Sequence, residues 1–383
     1  MKRSVWIATG VFVLLFSQAL DAGIKAGLEA NAGFWWVLQE EVENGELQAG
    51  TRDTAAQEAS GFNFKQGRLG VHFGTDNGKL EGVFRIRLEE RMDIIDCYGI
   101  FHAAPWMSFY VGQMKIPSTR EVLKRDHMTD FVTRTTFAQN VGDFSLAKTP
   151  YISSLMNAWS LNRDLGIAVK GQVPDRESPF LNYYVMVGNG AGAGRYTGGK
   201  ESSEFFYTNN FGDYYYGGRL EISPWDWLMV GGHMSRNRHE DAIIQDKKTV
   251  VDLEREVWTA DLELRAPWGT RLYGFYGEGW MEDYFFSQDY EFDYHGWGCW
   301  LVQELMDGKL ELAARYDTFT TEFQKDGYPV SRNNTTYGIN WRPNPSFRLQ
   351  VNYKHKETEC DYMEDLDDDL LVMNMQYIFD TWQ

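Results

Sequence analysis

The chain has 383 residues, 15% of them aromatic and 24% charged, and a net charge of −18. Asp and Glu outnumber Lys and Arg 55 to 37, which argues against the basic face that nucleic-acid binding requires. Three widely separated cysteines, Cys97, Cys299 and Cys360, form neither a disulfide framework nor a C-x-x-C metal pair.

Lys2 and Arg3 precede an apolar run from Val5 to Phe16, followed by the small residues of "SQALDAG". This is the order of a secretory leader over 1–22, with cleavage after Ala19 or Ala22. The run is too short to cross ~30 Å of hydrocarbon as a helix. Beyond it no apolar stretch is long enough for a membrane-spanning helix, so a helical membrane protein is excluded. The mean hydropathy of −0.46 does not exclude a transmembrane β-barrel, in which only alternate residues face lipid.

From residue 23 onward the pattern has period two. In "KLEGVFRIRLEE", Leu80, Gly82, Phe84, Ile86 and Leu88 share one face, and Glu81, Arg85, Arg87 and Glu89 the other. Trp258, Ala260, Leu262 and Leu264 oppose Thr259, Asp261, Glu263 and Arg265. Leu310, Leu312, Ala314 and Tyr316 oppose Glu311, Ala313, Arg315 and Asp317. Phe347, Leu349, Val351 and Tyr353 oppose Arg348, Gln350, Asn352 and Lys354. The last strand sets Leu371, Met373, Met375, Tyr377 and Phe379 against Asn374 and Gln376.

Tight turns rich in Pro, Gly, Asn and Asp fall at 75–78, 103–106, 173–178, 223–227, 266–270, 306–309 and 342–346. Mostly longer polar segments alternate with them, near 38–60, 91–92, 116–160, 190–210, 239–250, 284–290, 320–332 and 358–367. Together they join sixteen strands with short connections at one end and longer ones at the other. That asymmetry is the signature of an all-β, 16-stranded antiparallel transmembrane β-barrel in a bacterial outer membrane. Trp and Tyr near strand ends, as in "FWW" (34–36), "DYYYGG" (213–218) and "SPWDW" (223–227), fit interfacial girdles. Backbone groups in hydrocarbon need internal partners, so the last strand is expected to pair with the first, 23–37.

The stretch 62–125 resembles the phosphate-selective porin O and P family. "FKQGRLGVHFGTDNGKLEGVFRI" looks like its second and third strands. "DCYGIFHAAPWMSFYVGQMKIPSTRE" resembles its V-G-Q-x-K-x-P block, with Asp96, Tyr98, Val111, Gly112, Gln113, Lys115 and Pro117 in matching places. Cys97, Met114, Ser118 and Thr119 depart from it. Weaker echoes follow in order at 131–136, 163–172, 187–192, 217–225 and 374–379. The resemblance implies a single barrel domain over 23–383, usually trimeric, with a constricting third loop folded into the pore, here about 116–160. It also implies basic residues along the wall, although the family's selectivity ladder is not matched residue by residue.

Selectivity in such a pore is set by radius, ring charges and donors at the constriction. The third-loop candidates are Lys115, Arg120, Lys124, Arg125 and Arg134, with Asp126 and Asp130 among them. They form either a transverse field across the pore or ordinary solvated surface pairs worth ~0–1 kcal/mol each. Wall candidates are Arg68, Arg85, Arg87, Arg219, Arg265, Arg315 and Arg348, interleaved with Glu81, Glu221, Asp261, Glu263, Glu311 and Asp317. The acidic run 357–369, including Asp367, Asp368 and Asp369, offers oxygen ligands for a divalent ion or a solvated loop, and the loop is the simpler reading. No catalytic constellation and no cofactor motif is present.

These features lead to an outer-membrane porin passing small hydrophilic solutes or ions, embedded in outer-membrane lipid and lipopolysaccharide as a homotrimer. The alternatives are a phosphate- or anion-selective porin, a non-conducting barrel acting as sheath or scaffold, and a secreted soluble β-protein.

Overall fold

The computed structural model describes residues 24–39, 61–88, 93–125, 128–138, 163–174, 179–189, 214–243, 250–285, 288–323, 329–360 and 366–381. The leader expected over 1–22 lies outside them. Among the described residues no helix is long and apolar enough to cross a membrane.

Sixteen strands follow in chain order. They are β1 Ile24–Gln39, β2 Gly61–Thr75, β3 Leu80–Arg87, β4 Asp93–Ala104, β5 Met107–Lys115, β6 Arg163–Val173, β7 Leu181–Gly188 and β8 Tyr215–Trp225. Then come β9 Leu228–Ile243, β10 Val250–Arg265, β11 Thr270–Phe285, β12 Gln288–Leu305, β13 Leu310–Phe323, β14 Pro329–Asn344, β15 Phe347–Cys360 and β16 Leu366–Asp380. Each strand pairs antiparallel with its sequence neighbours, and β1 pairs with β16 to close the barrel. The expected seam is present, with Ala30 opposite Phe379 and Phe34 opposite Met375. Closure leaves no sheet edge to satisfy in lipid.

Alternation assigns the faces. Tyr377 is 58% exposed while its neighbour Gln376 is 1% exposed. The exposed phase carries an apolar band: Leu69, Val71, Phe109, Val111, Ile167, Val185, Leu220, Leu262, Leu301, Leu312 and Ile339 all face outward. The opposite phase carries Asn31, Arg219, Asp261, Arg315, Asn340, Arg348, Gln350 and Asn374, all buried. A polar interior inside an apolar band is the inverse of a soluble core, and only a lipid-embedded barrel makes it favourable. Exposed aromatics gather near strand ends, among them Trp106, Trp225, Trp227, Trp268 and Trp341 at the short-turn end. Trp225 and Trp227 stack with ring centroids 5.2 Å apart.

Two expectations need correction. The described parts of the segments 239–250, 284–290, 320–332 and 358–367 are strand, because the ladders continue beyond the point where outward residues stop being apolar, while 244–249, 286–287, 324–328 and 361–365 lie outside the described residues. The two ends of the acidic run 357–369 are accordingly strand rather than loop: β15 reaches Cys360, β16 starts at Leu366, and Asp367, Asp368 and Asp369 lie opposite Glu357, Lys356 and His355, while 361–365 lie outside the described residues. Asp369 accepts from Tyr353 Oη at 2.9 Å and lies 2.7 Å from His355 Nδ1, so its carboxylate is already engaged. Strand length is also uneven. β3 and β5–β8 have 8 to 11 residues, whereas β9–β16 have 14 to 18.

Candidate pore site

After β5 the described residues of the connection contact buried side chains of the wall. Tyr184 donates its hydroxyl to the Lys115 carbonyl, and Tyr215 donates to that of Pro117 at 3.1 Å. Met114 and Ile116 pack with Ala168, Tyr184, Met186 and Tyr215. A short helix, α1 (Arg120–Leu123), is capped by Thr119, whose hydroxyl accepts from the Val122 N–H. Lys115 Nζ donates to the carbonyls of Val122 and Lys124, both at 2.8 Å, and so occupies the C-terminal end of α1. This candidate is structural glue rather than a free pore charge.

Arg120 and Arg125 reach different parts of the wall. Arg120 lies 2.9 Å from Glu263 on β10 and 3.3 Å from Glu221 on β8. Arg125 lies 3.2 Å from Glu29 on β1 and 3.9 Å from Asp380 on β16. Lys124 faces Asp130 at 3.5 Å. Arg134 donates to the carbonyls of Glu121 and Lys124, tying the two arms of the connection together. Asp126 lies outside the described residues.

The second arm rests on β11–β15. Asp130 accepts from the Trp300 indole N–H at 3.1 Å and faces Arg271 at 3.1 Å. Burial works against the charged form of Asp130, but Lys124 and Arg271 outweigh it and hold its pKa below the ordinary value. Burial pushes the Glu121 carboxyl up; Arg315, at 3.6 Å, and the Thr135 hydroxyl and N–H oppose that shift without reversing it. Wall side chains bind the backbone of this arm. Arg348 donates to the Thr129 carbonyl at 2.6 Å, Arg315 to that of Thr133 at 2.8 Å, and Asn340 to that of Asp130 at 2.9 Å. Asn352 accepts from the Val132 N–H at 2.6 Å, and Asp317 from that of Thr136 at 2.8 Å. Arg315 and Arg348, read in the sequence as pore-wall cations, are therefore turned to holding the connection.

The remaining wall candidates are mostly in carboxylate company. Arg85 joins Glu29 at 2.9 Å and Asp96 at 3.2 Å. Arg219 clamps Asp261 through both terminal nitrogens, at 2.7 and 2.8 Å, and also meets Glu221. Arg265 meets Glu263 at 2.6 Å near the short-turn end. Arg68 and Arg87 are register partners, both half-buried. The sequence reading missed Arg163, 2.7 Å from Asp96, and Arg271, which joins Glu311 at 3.1 Å as well as Asp130. Arg271 shares its face with Tyr273 and Phe275, so no polar phase was legible there.

The fold is similar to solved outer-membrane channels. The trimer form of OmpT from Vibrio cholerae superposes with a TM-score of 0.60 at 11% identity, over 94% of this chain and 99% of that one. An anion-selective porin from Comamonas acidovorans gives 0.61 at 10% identity, over 93% and 100%. The channel DcaP of Acinetobacter baumannii gives 0.60 at 10%, over 94% and 97%. At such low identity these likenesses establish the fold alone. A comparison with curated proteins finds no match. Residues 270–379 match the phosphate-selective porin O and P family. The porin match spans β11–β16, whereas the V-G-Q-x-K-x-P block of the sequence lies earlier, around β4 and β5. Porin family match and porin fold together support an outer-membrane channel rather than an enzyme.

Proposed function

We propose that this chain is a passive diffusion porin whose β5–β6 connection narrows the lumen, selecting solutes by aperture and dipole rather than by a run of free cations. Charge compensation carries the reading. Arg85, Arg120, Arg125, Arg163, Arg219, Arg271 and Arg315 each approach a carboxylate to between 2.7 and 3.2 Å. Paired charges present little net field to a passing ion, while still orienting dipolar solutes.

Anion preference is the second reading, favoured by a specific contrast. Among the described residues the inner faces of β14 and β15 carry Arg332, Arg342, Arg348, Lys354 and Lys356 and no carboxylate. Reversal potentials of the purified protein in a KCl gradient decide between the two. A value near zero fits the diffusion porin, and strong anion preference replaces it with the second reading. A barrel that never conducts favours a sheath or scaffold.

Export by the leader 1–22 and assembly as a homotrimer complete the proposal. The low wall of β3 and β5–β8 suits a lipid-level contact between copies, and a trimer form is known for the similar OmpT. Outward-facing Arg236 and Arg238, beside Glu254, suit lipopolysaccharide phosphates at the outer rim.

A further inference from the structure

Phe137, at the end of the described connection, is 0% exposed. Its ring lies among Phe275, Tyr294 and Phe319, with centroids at 5.6, 6.5 and 6.0 Å. The surface beneath it is glycine. A Cβ on Gly277 would stand 2.3 Å from the ring's Cζ, and one on Gly296 would stand 3.0 Å from its Cδ2. Gly277 and Gly296 are direct register partners on β11 and β12, so their bare backbones form one flat shelf on the inner wall. Any larger residue at Gly277 must displace the ring or the strand.

Both arms make polar bonds to the wall, and the second arm adds an aromatic anchor at its end. The α1 arm is held at Arg120 and Arg125 by ion pairs in a wet lumen, where salt screens attraction. The second arm ends in a dry aromatic socket, insensitive to salt and built for one ring.

We propose that Phe137 is the positioning residue that fixes the second arm against β11–β13 and thereby sets the open cross-section of the lumen. This rests on the reading of the connection as the narrowing element of a conducting barrel. Phe137 itself touches no solute; it acts through the residues it holds in place.

The test uses full-length protein in planar bilayers, comparing F137A, G277A and the apolar substitute F137L. Retention of the folded barrel is verified by mobility on unheated detergent gels. F137A and G277A are expected to raise single-channel conductance by roughly twofold or more, because aperture sets flow, while F137L stays near the parent. In parallel, limited proteolysis of the folded barrels is expected to cut the connection faster in F137A and G277A only. Parental conductance and parental cleavage in both variants would overturn the assignment. A parent that never conducts would sink the channel reading, and the cleavage rates would still decide whether Phe137 fixes the arm.

Discussion

The guanidinium of Arg120 stands 2.9 Å from the carboxylate of Glu263, joining α1 to β10. Glu263 is buried, and Arg265 at 2.6 Å is its other cation. R120Q removes one cation from a compensated cluster and leaves Glu221, Asp261 and Glu263 facing only Arg219 and Arg265. Reversal potentials are expected to shift toward cations, and R120Q/E263Q should return most of the way. Coupling between the two positions is expected at about 1 kcal/mol, the scale of a partly solvated pair.

Titration of the connection has a definite sign. The Glu121 pKa is raised by burial when the arm is seated, so seating takes up a proton. Its contribution is complete below the ordinary carboxylate range and fades as pH rises through the raised value. Asp130 acts oppositely: its pKa is lowered, so its contribution is present above about 4 and is lost as pH falls through the lowered value. Conductance is therefore expected to rise on alkalinisation in the parent and to stay flat in E121Q. Recordings across a pH series at fixed salt supply the check.

Outward Leu301 lies on β12 midway between the outward Trp297 and Leu305, and is 46% exposed. L301R is expected to cost about 2–4 kcal/mol, and L305R, near the interface, about 0–1 kcal/mol. Equilibrium refolding into phospholipid vesicles measures both, and equal costs would contradict the assigned lipid face.

Asn340 is a hub beneath the connection. It donates to the Asp130 carbonyl at 2.9 Å and to Glu311 at 3.1 Å, and accepts from Gln350 at 3.0 Å. N340L leaves these buried groups short of partners, at a cost of about 1–3 kcal/mol. A lower unfolding midpoint on heated gels, with the barrel still formed at room temperature, is the expected result.

The wall was readable in sequence because each strand meets two solvents, and Leu312, Ala314 and Tyr316 against Glu311, Arg315 and Asp317 record both. Turn chemistry placed the short connections for the same local reason. Legibility failed where the inner phase turned aromatic, as with Tyr273 and Phe275 flanking Gly274. It failed again wherever the partner was remote. Nothing near Arg348 in the chain announces the Thr129 carbonyl, and nothing near Gly277 announces Phe137. Outer strand ends were misjudged because hydrogen-bonded ladders persist above the hydrocarbon, where composition no longer alternates.

Arg125 touches Glu29 on the first strand and Asp380 on the last, the two strands that zip to close the cylinder. Those carboxylates come together only when the terminus has docked, with the Thr381 N–H bonded to the Leu28 carbonyl. Biogenesis therefore has an order: an unsealed precursor cannot furnish the complete cradle for Arg125. The segment carrying Arg125 takes its full set of contacts only in a sealed cylinder.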